Sequence, residues 1–136
     1  MKTQALQRLA PPMLALALWF AISCKSGPAQ LTPAMKEYRL SEMTDAVASV
    51  NSQGLISSVS GDDSTLIVAL SENWPAASVG VQNQLLEALG AQWTEISKKI
   101  GIKESELGRL RVVAVDRLQK EQARWTRRAG VQRPAP

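Results

Sequence analysis

Apolar positions along this chain change their spacing several times, and each change marks an element. Met13 to Ile22 (MLALALWFAI) is an unbroken apolar run. Leu40, Met43, Val47 and Val50 then recur at three- and four-residue intervals, which predicts an amphipathic helix over 33–50. Thr32 suits its N-cap, Pro33 its first helical position, and Gly54 lies close to its end, with Tyr38 on its flank. The period drops toward two in LISSVS (55–60) and TLIVAL (65–70), separated by Gly61-Asp62-Asp63-Ser64, a hairpin signal. The second run is apolar on both faces and is expected near the centre of a sheet. After Asn73-Trp74-Pro75, helical spacing returns in Leu85, Leu86, Leu89, Trp93, Ile96 and Ile100, predicting a helix over 81–100. Lys98 and Lys99 suit its last turn and Gly101 its stop.

A polar connection, 102–110, leads to RVVAV (111–115), another strand. In 121–126, Ala123 and Trp125 alternate with Gln122 and Arg124, which favours a second hairpin strand; a terminal helix from Asp116 to Arg128 is the competing assignment. The order α-β-β-α-β-(β) predicts an α+β domain, with a small antiparallel sheet of three or four strands and two helices packed on one face. No internal repeat is evident. The expected divisions are an export segment over 1–23, a tether over 24–31, one α+β domain over 32–126, and a disordered basic tail over 127–136.

Lys2 and Arg8 precede the apolar run, and Ser23-Cys24 closes it with small residues, the pattern of an export signal. As a helix the run would span only ~16 Å against ~30 Å of hydrocarbon. Ala21-Ile22-Ser23-Cys24 resembles the lipobox of bacterial lipoproteins, with Ala21 where leucine is usual. The resemblance covers the first 24 residues. It implies that Cys24 receives a diacylglyceryl group, becomes the first residue after cleavage, and is often acylated on its new amino terminus. Because Lys25 replaces the aspartate that the family uses for inner-membrane retention, it also implies an outer-membrane protein facing the periplasm, if the cell has an outer membrane. Cys24 is the sole cysteine, so an exported product can form no internal disulfide. The rival reading keeps 13–22 as an uncleaved anchor, with the arginine-rich terminus contacting nucleic acid.

Charge adds little. The 16 basic and 12 acidic residues give +4, and Lys2 and Arg8 belong to the export segment, so the mature side chains sum to +2. The lack of histidine removes the commonest near-neutral acid/base group and metal ligand. Serines are numerous, but without histidine only a Ser-Lys pairing remains, and Lys98 and Lys99 sit at a helix end instead of near a nucleophile turn. Asp62 and Asp63 read as turn chemistry, since a calcium loop needs more oxygen ligands at regular spacing. Glu104 and Glu106 read as a solvated acidic patch. No phosphate loop, dinucleotide fingerprint, cofactor or metal signature is present.

Among the aromatics, Trp93 lies on the apolar stripe of the second helix and is expected in the core, while Trp74 is expected to plug its end. Arg124, Trp125, Arg127 and Arg128, with Arg133 beyond, form the candidate contact for an anionic surface such as lipid headgroups or another envelope polymer. Export disfavours nucleic acid as that partner. The expected function is non-catalytic binding or support of another envelope component by a lipid-anchored protein; the alternative is an exported enzyme or accessory domain with a non-histidine site. Intact mass spectrometry of the membrane fraction should find a chain beginning at Cys24 with diacylglyceryl and acyl additions, lost in Cys24→Ala; a full-length, unmodified mass would refute lipidation.

Overall fold

Thr32 begins the first helix as its sequence context suggests: its hydroxyl accepts the Met35 N–H at 3.1 Å, and Pro33 follows where no intrahelical donor is needed. The computed structural model describes residues 31–135; Cys24, the expected export segment and the expected tether up to Gln30 lie outside them. The helices are α1 (Pro33–Val50), α2 (Val79–Lys99) and the single turn α3 (Glu104–Leu107). The strands are β1 (Ile56–Gly61), β2 (Thr65–Leu70), β3 (Arg111–Val115), β4 (Glu121–Thr126) and β5 (Gly130–Gln132). A 3₁₀ turn at Trp74–Ala76 leads into α2, which Ser78 caps by accepting the Val81 N–H.

The domain is α+β, but its sheet has five strands in the order β1-β2-β3-β4-β5, and β2 pairs with β3 in parallel. The expected all-antiparallel sheet of three or four strands is corrected on both counts. The parallel pair arises because α2 and α3 carry the chain back along the sheet before β3 begins, as any parallel connection requires. The extra strand lies in the segment expected to be a disordered tail. Gly130 turns the chain with φ +70, Thr126 Oγ1 accepts the Ala129 N–H, and Val131 then pairs with Trp125. Val131, the one large apolar residue of 127–136, stands among arginines and small residues and gives no readable alternation. Residues 121–126 form the strand of a hairpin and not a terminal helix.

α1 packs on β1 and α2, and α2 packs on β3, β4 and β5. Both helices cover the same sheet face, where Leu66, Val68, Leu70, Val112, Ala114, Ala123 and Trp125 are buried by strand alternation. The other face shows Ser58, Ser60, Ile67, Val113 and Arg124, with no helix over it among the described residues. Trp93 and Trp74 are both buried in the core, as expected of them. Trp125 is there too, so the expectation that it rests on an outer surface is corrected. Its indole lies against Gly90 of α2, and a Cβ on that glycine would overlap the ring. β4 presents Trp125 to the helices and Arg124 to the opposite face, because neighbouring residues of a strand alternate.

The least expected core residue is Arg39. Its side chain, 1 % exposed, lies on the buried face of α1 beside Met43, while Val50, assigned to that face by spacing, is exposed. The guanidinium stacks over Trp93 at 4.0 Å from the ring centroid. Nη1 donates to Ser97 Oγ at 3.1 Å, and Nη2 donates to the carbonyls of Asp62 at 2.7 Å and Asp63 at 3.0 Å. Burial lowers its pKa, opposed by the Asp63 and Asp62 charges, and arginine stays a cation at neutral pH. Trp93 Nε1 donates to Ser64 O at 3.1 Å in the same turn. One cation thus joins α1, α2 and the β1–β2 turn.

Two substitutions test this packing by urea unfolding. Gly90→Ala should cost about 1–3 kcal/mol, because neither the helix backbone nor the indole can yield without moving the sheet. Arg39→Met should cost about 2–4 kcal/mol, since it leaves the buried Ser97 hydroxyl and two partly buried turn carbonyls without their donor and removes the cation stacked on Trp93; an unchanged midpoint in either variant would contradict the packing described.

Candidate functional site

Because β2 and β3 are parallel, both leave the sheet at the same end, and β1 enters there. Three connections therefore meet at that end: 51–55 between α1 and β1, 71–78 between β2 and α2, and 116–120 between β3 and β4. The carboxyl ends of parallel strands are where open α/β sheets place their ligands.

Short polar bonds hold the three connections in place. The Asn51 side-chain amide accepts the N–H groups of Leu55 and Ile56 and donates to Ile56 O at 2.9 Å. Ser71 donates its N–H to Leu55 O and its hydroxyl to Gly54 O, which fastens the end of β2 to the start of β1. Gly54 has φ +66, a conformation that favours glycine. Gln82, buried on α2, donates to Trp74 O at 2.7 Å and fixes the 3₁₀ turn. In the hairpin tip, Asp116 Oδ1 accepts from Leu118 N at 2.8 Å and Lys120 N at 3.0 Å, while Oδ2 accepts from Gln122 Nε2 at 3.0 Å. Gln119 closes the tip in the left-handed region, at φ +64.

This bonded frame surrounds two hollows. One, of about 230 Å³, lies between Leu70, Trp74 and Pro75 on one side and Asp116, Leu118 and Gln122 on the other, with Glu72 and Arg117 across its mouth. Arg117 Nη2 and Glu72 Oε2 pair at 3.1 Å. The other, of about 270 Å³, has an apolar floor that includes Leu55, Val81 and Leu85, and an uncharged rim that includes Gln53 and Gln84. Leu118 stands 86 % exposed at the edge of the first hollow.

The residues singled out by sequence are dispersed. Cys24 lies outside the described residues. Arg124 lies on the open sheet face, paired with Glu121 at 2.7 Å, and that carboxylate raises its pKa; its Nε is buried without a partner among the described residues. Trp125 faces the core, Arg127 pairs with Glu104 at 3.5 Å at the far end of the sheet, and Arg128 is exposed in the β4–β5 turn. Arg133 donates to Asn83 Oδ1 at 2.9 Å. The structure therefore does not assemble Arg124, Trp125, Arg127 and Arg128 into one patch. Asp62 does act as a turn residue, accepting from Ser64 N and Thr65 N. Among the described residues no group of three or more acidic or cysteine side chains is placed to hold a metal, and no helix is long and apolar enough to cross a membrane.

Sequence reasoning missed Asn51, Gln82, Asp116 and Leu118. The only legible sign was a leucine set between arginine, glutamine and lysine in a hairpin loop, 116–120. Comparison with known proteins finds no matching family, curated protein or solved structure.

Asp116→Ala should release the tip. We expect amide exchange at Leu118 and Lys120 to quicken markedly and stability to fall by about 1 kcal/mol, with exchange in β3 keeping its ranking; retained protection at both amides would show that Asp116 does not hold the loop.

Proposed function

We propose that this chain is a lipid-anchored bacterial lipoprotein whose α+β domain binds a protein component of the cell envelope without catalysing a reaction. The observation that carries the binding reading is Leu118. Leu118, 86 % exposed, stands at the lip of a hollow lined by Leu70, Trp74 and Pro75, so leucine and hollow form one continuous apolar surface, on a turn whose backbone is bonded by Asp116 before any partner arrives. Beside it the hollow floored by Leu70, Trp74 and Pro75 can take one apolar side chain in return, the interlocking that concentrates binding energy in few residues.

The charged groups of the hollow support binding over chemistry. Asp116 accepts three hydrogen bonds and is held in a structural role, while Glu72 and Arg117 pair with each other in solvent, outside any enclosure that would shift a carboxylate toward acid/base work. The address rests on the basic, apolar and lipobox-like segments that end at Cys24. Two acyl chains would give stable anchoring, where one gives only reversible attachment.

A photoreactive residue placed at position 118 in the source bacterium should yield one discrete adduct with an envelope protein, and an otherwise identical residue at Gln92, exposed on α2, should yield none. Adding Pro75→Asp should weaken the 118 adduct without unfolding the domain. Equal labelling from both positions, or no adduct from 118, would refute the partner-binding reading.

A further inference from the structure

The end of the sandwich opposite the hollows has a different charge. It gathers the first turns of α1, the last turn of α2, α3, the β1–β2 turn, the start of β3 and the β4–β5 turn. Contacts join these pieces: Lys36 with Asp63 at 3.2 Å, Arg39 with Ser97 and the Asp62 carbonyl, Arg111 N with Ser64 O, and Arg127 with Glu104. Lys99, Lys103, Arg109 and Arg128 are all exposed there, and none has an ion-pair partner among the described residues. At the hollow end fewer cations lie open: Arg117 pairs with Glu72, Arg133 donates to Asn83 Oδ1, and Lys120 is exposed without an ion-pair partner among the described residues.

The chain enters the domain at the basic end, where Thr32 caps α1. The segment between Cys24 and Thr32, KSGPAQL, can reach at most about 25 Å when fully extended. We infer that this basic end is a docking surface for anionic phospholipid headgroups, seating the domain with Leu118 and the hollows directed away from the membrane. The inference rests on the lipid-anchored reading for its biological setting, because the anchor would hold this end near the headgroups, where salt screens charge over ~10 Å. Each basic residue close to an anionic bilayer strengthens attachment roughly fivefold. Four unpaired cations on one end are enough to orient a tethered domain, though not to replace the anchor.

The test uses the unlipidated chain from Lys25 to Pro136, which contains the whole core described above, so that any attachment comes from the protein surface. It is sedimented with phosphatidylcholine vesicles with and without phosphatidylglycerol, at low and high salt. Binding is expected only with phosphatidylglycerol and is expected to weaken with salt. K99E/K103E/R128E should lower the partition coefficient at least tenfold, while R117E/K120E, at the other end, should change it less than about twofold. Circular dichroism verifies that both variants are folded. Absence of binding, equal binding to both vesicle types, equal loss in the two variants, or preference for duplex nucleic acid over the vesicles would each overturn the inference. Failure of the anchor reading is separately visible, because an unmodified Cys24 in the intact mass leaves the vesicle result standing.

Discussion

The buried guanidinium of Arg39 is the interaction on which the arrangement of this domain depends. A charge in an apolar interior is tolerated only when it is well partnered, and here the β1–β2 turn and α2 accept three hydrogen bonds from the guanidinium while Trp93 covers its plane. These partners come from parts of the chain distant in sequence, so the cation is satisfied only when α1, α2 and the hairpin are mutually in place. The apolar contacts between helices and sheet favour burial in general; the guanidinium selects one alignment among those that bury similar area. That alignment sets where the loops at the opposite end of the sheet emerge.

Strict periodicity made much of this legible in the sequence. The Thr32–Pro33 start, the strand over 65–70, the strand over 111–115 and the alternation of Ala123 and Trp125 with their neighbours all correspond to observed elements, because local pattern and tertiary burial agree there. Arg39 was hidden because a charged residue at a core position has no local signature, and spacing assigned the stripe to Val50 in compensation. β5 was hidden because its strand character comes from pairing with β4, not from its own composition. The parallel pairing of β2 and β3 was implicit in a long helical connection, but strand direction is a property of the return path and does not register in any single segment.

The candidate site was less legible for a related reason. Asn51, Gln82 and Asp116 work through side-chain bonds to backbone groups of their own or adjoining connections, and such bonds depend on chain direction more than on residue type. Four near neighbours in the sequence, Arg124, Trp125, Arg127 and Arg128, suggested one surface, yet the strand divides them between two faces and a turn. The unpaired cations come together instead through the ends of α2 and α3, the approach to β3 and the β4–β5 turn. A linear charge cluster was thus a poor guide, and the meeting of chain termini and turns at one end of the sheet a better one.

Asn51 has one more effect. Its amide accepts the Ile56 N–H and donates to the Ile56 carbonyl, groups that β2 does not use, and so behaves as a partner strand one residue long at the outer border of the sheet. The other border is the three-residue β5, followed closely by Pro134, which has no N–H to offer. The start of β1 and the whole of β5 are therefore poor templates for pairing with a neighbour. At high local density this would hinder collisions between copies from growing into a continuous ribbon through either of those two places, and leave the loops as the readier contacts.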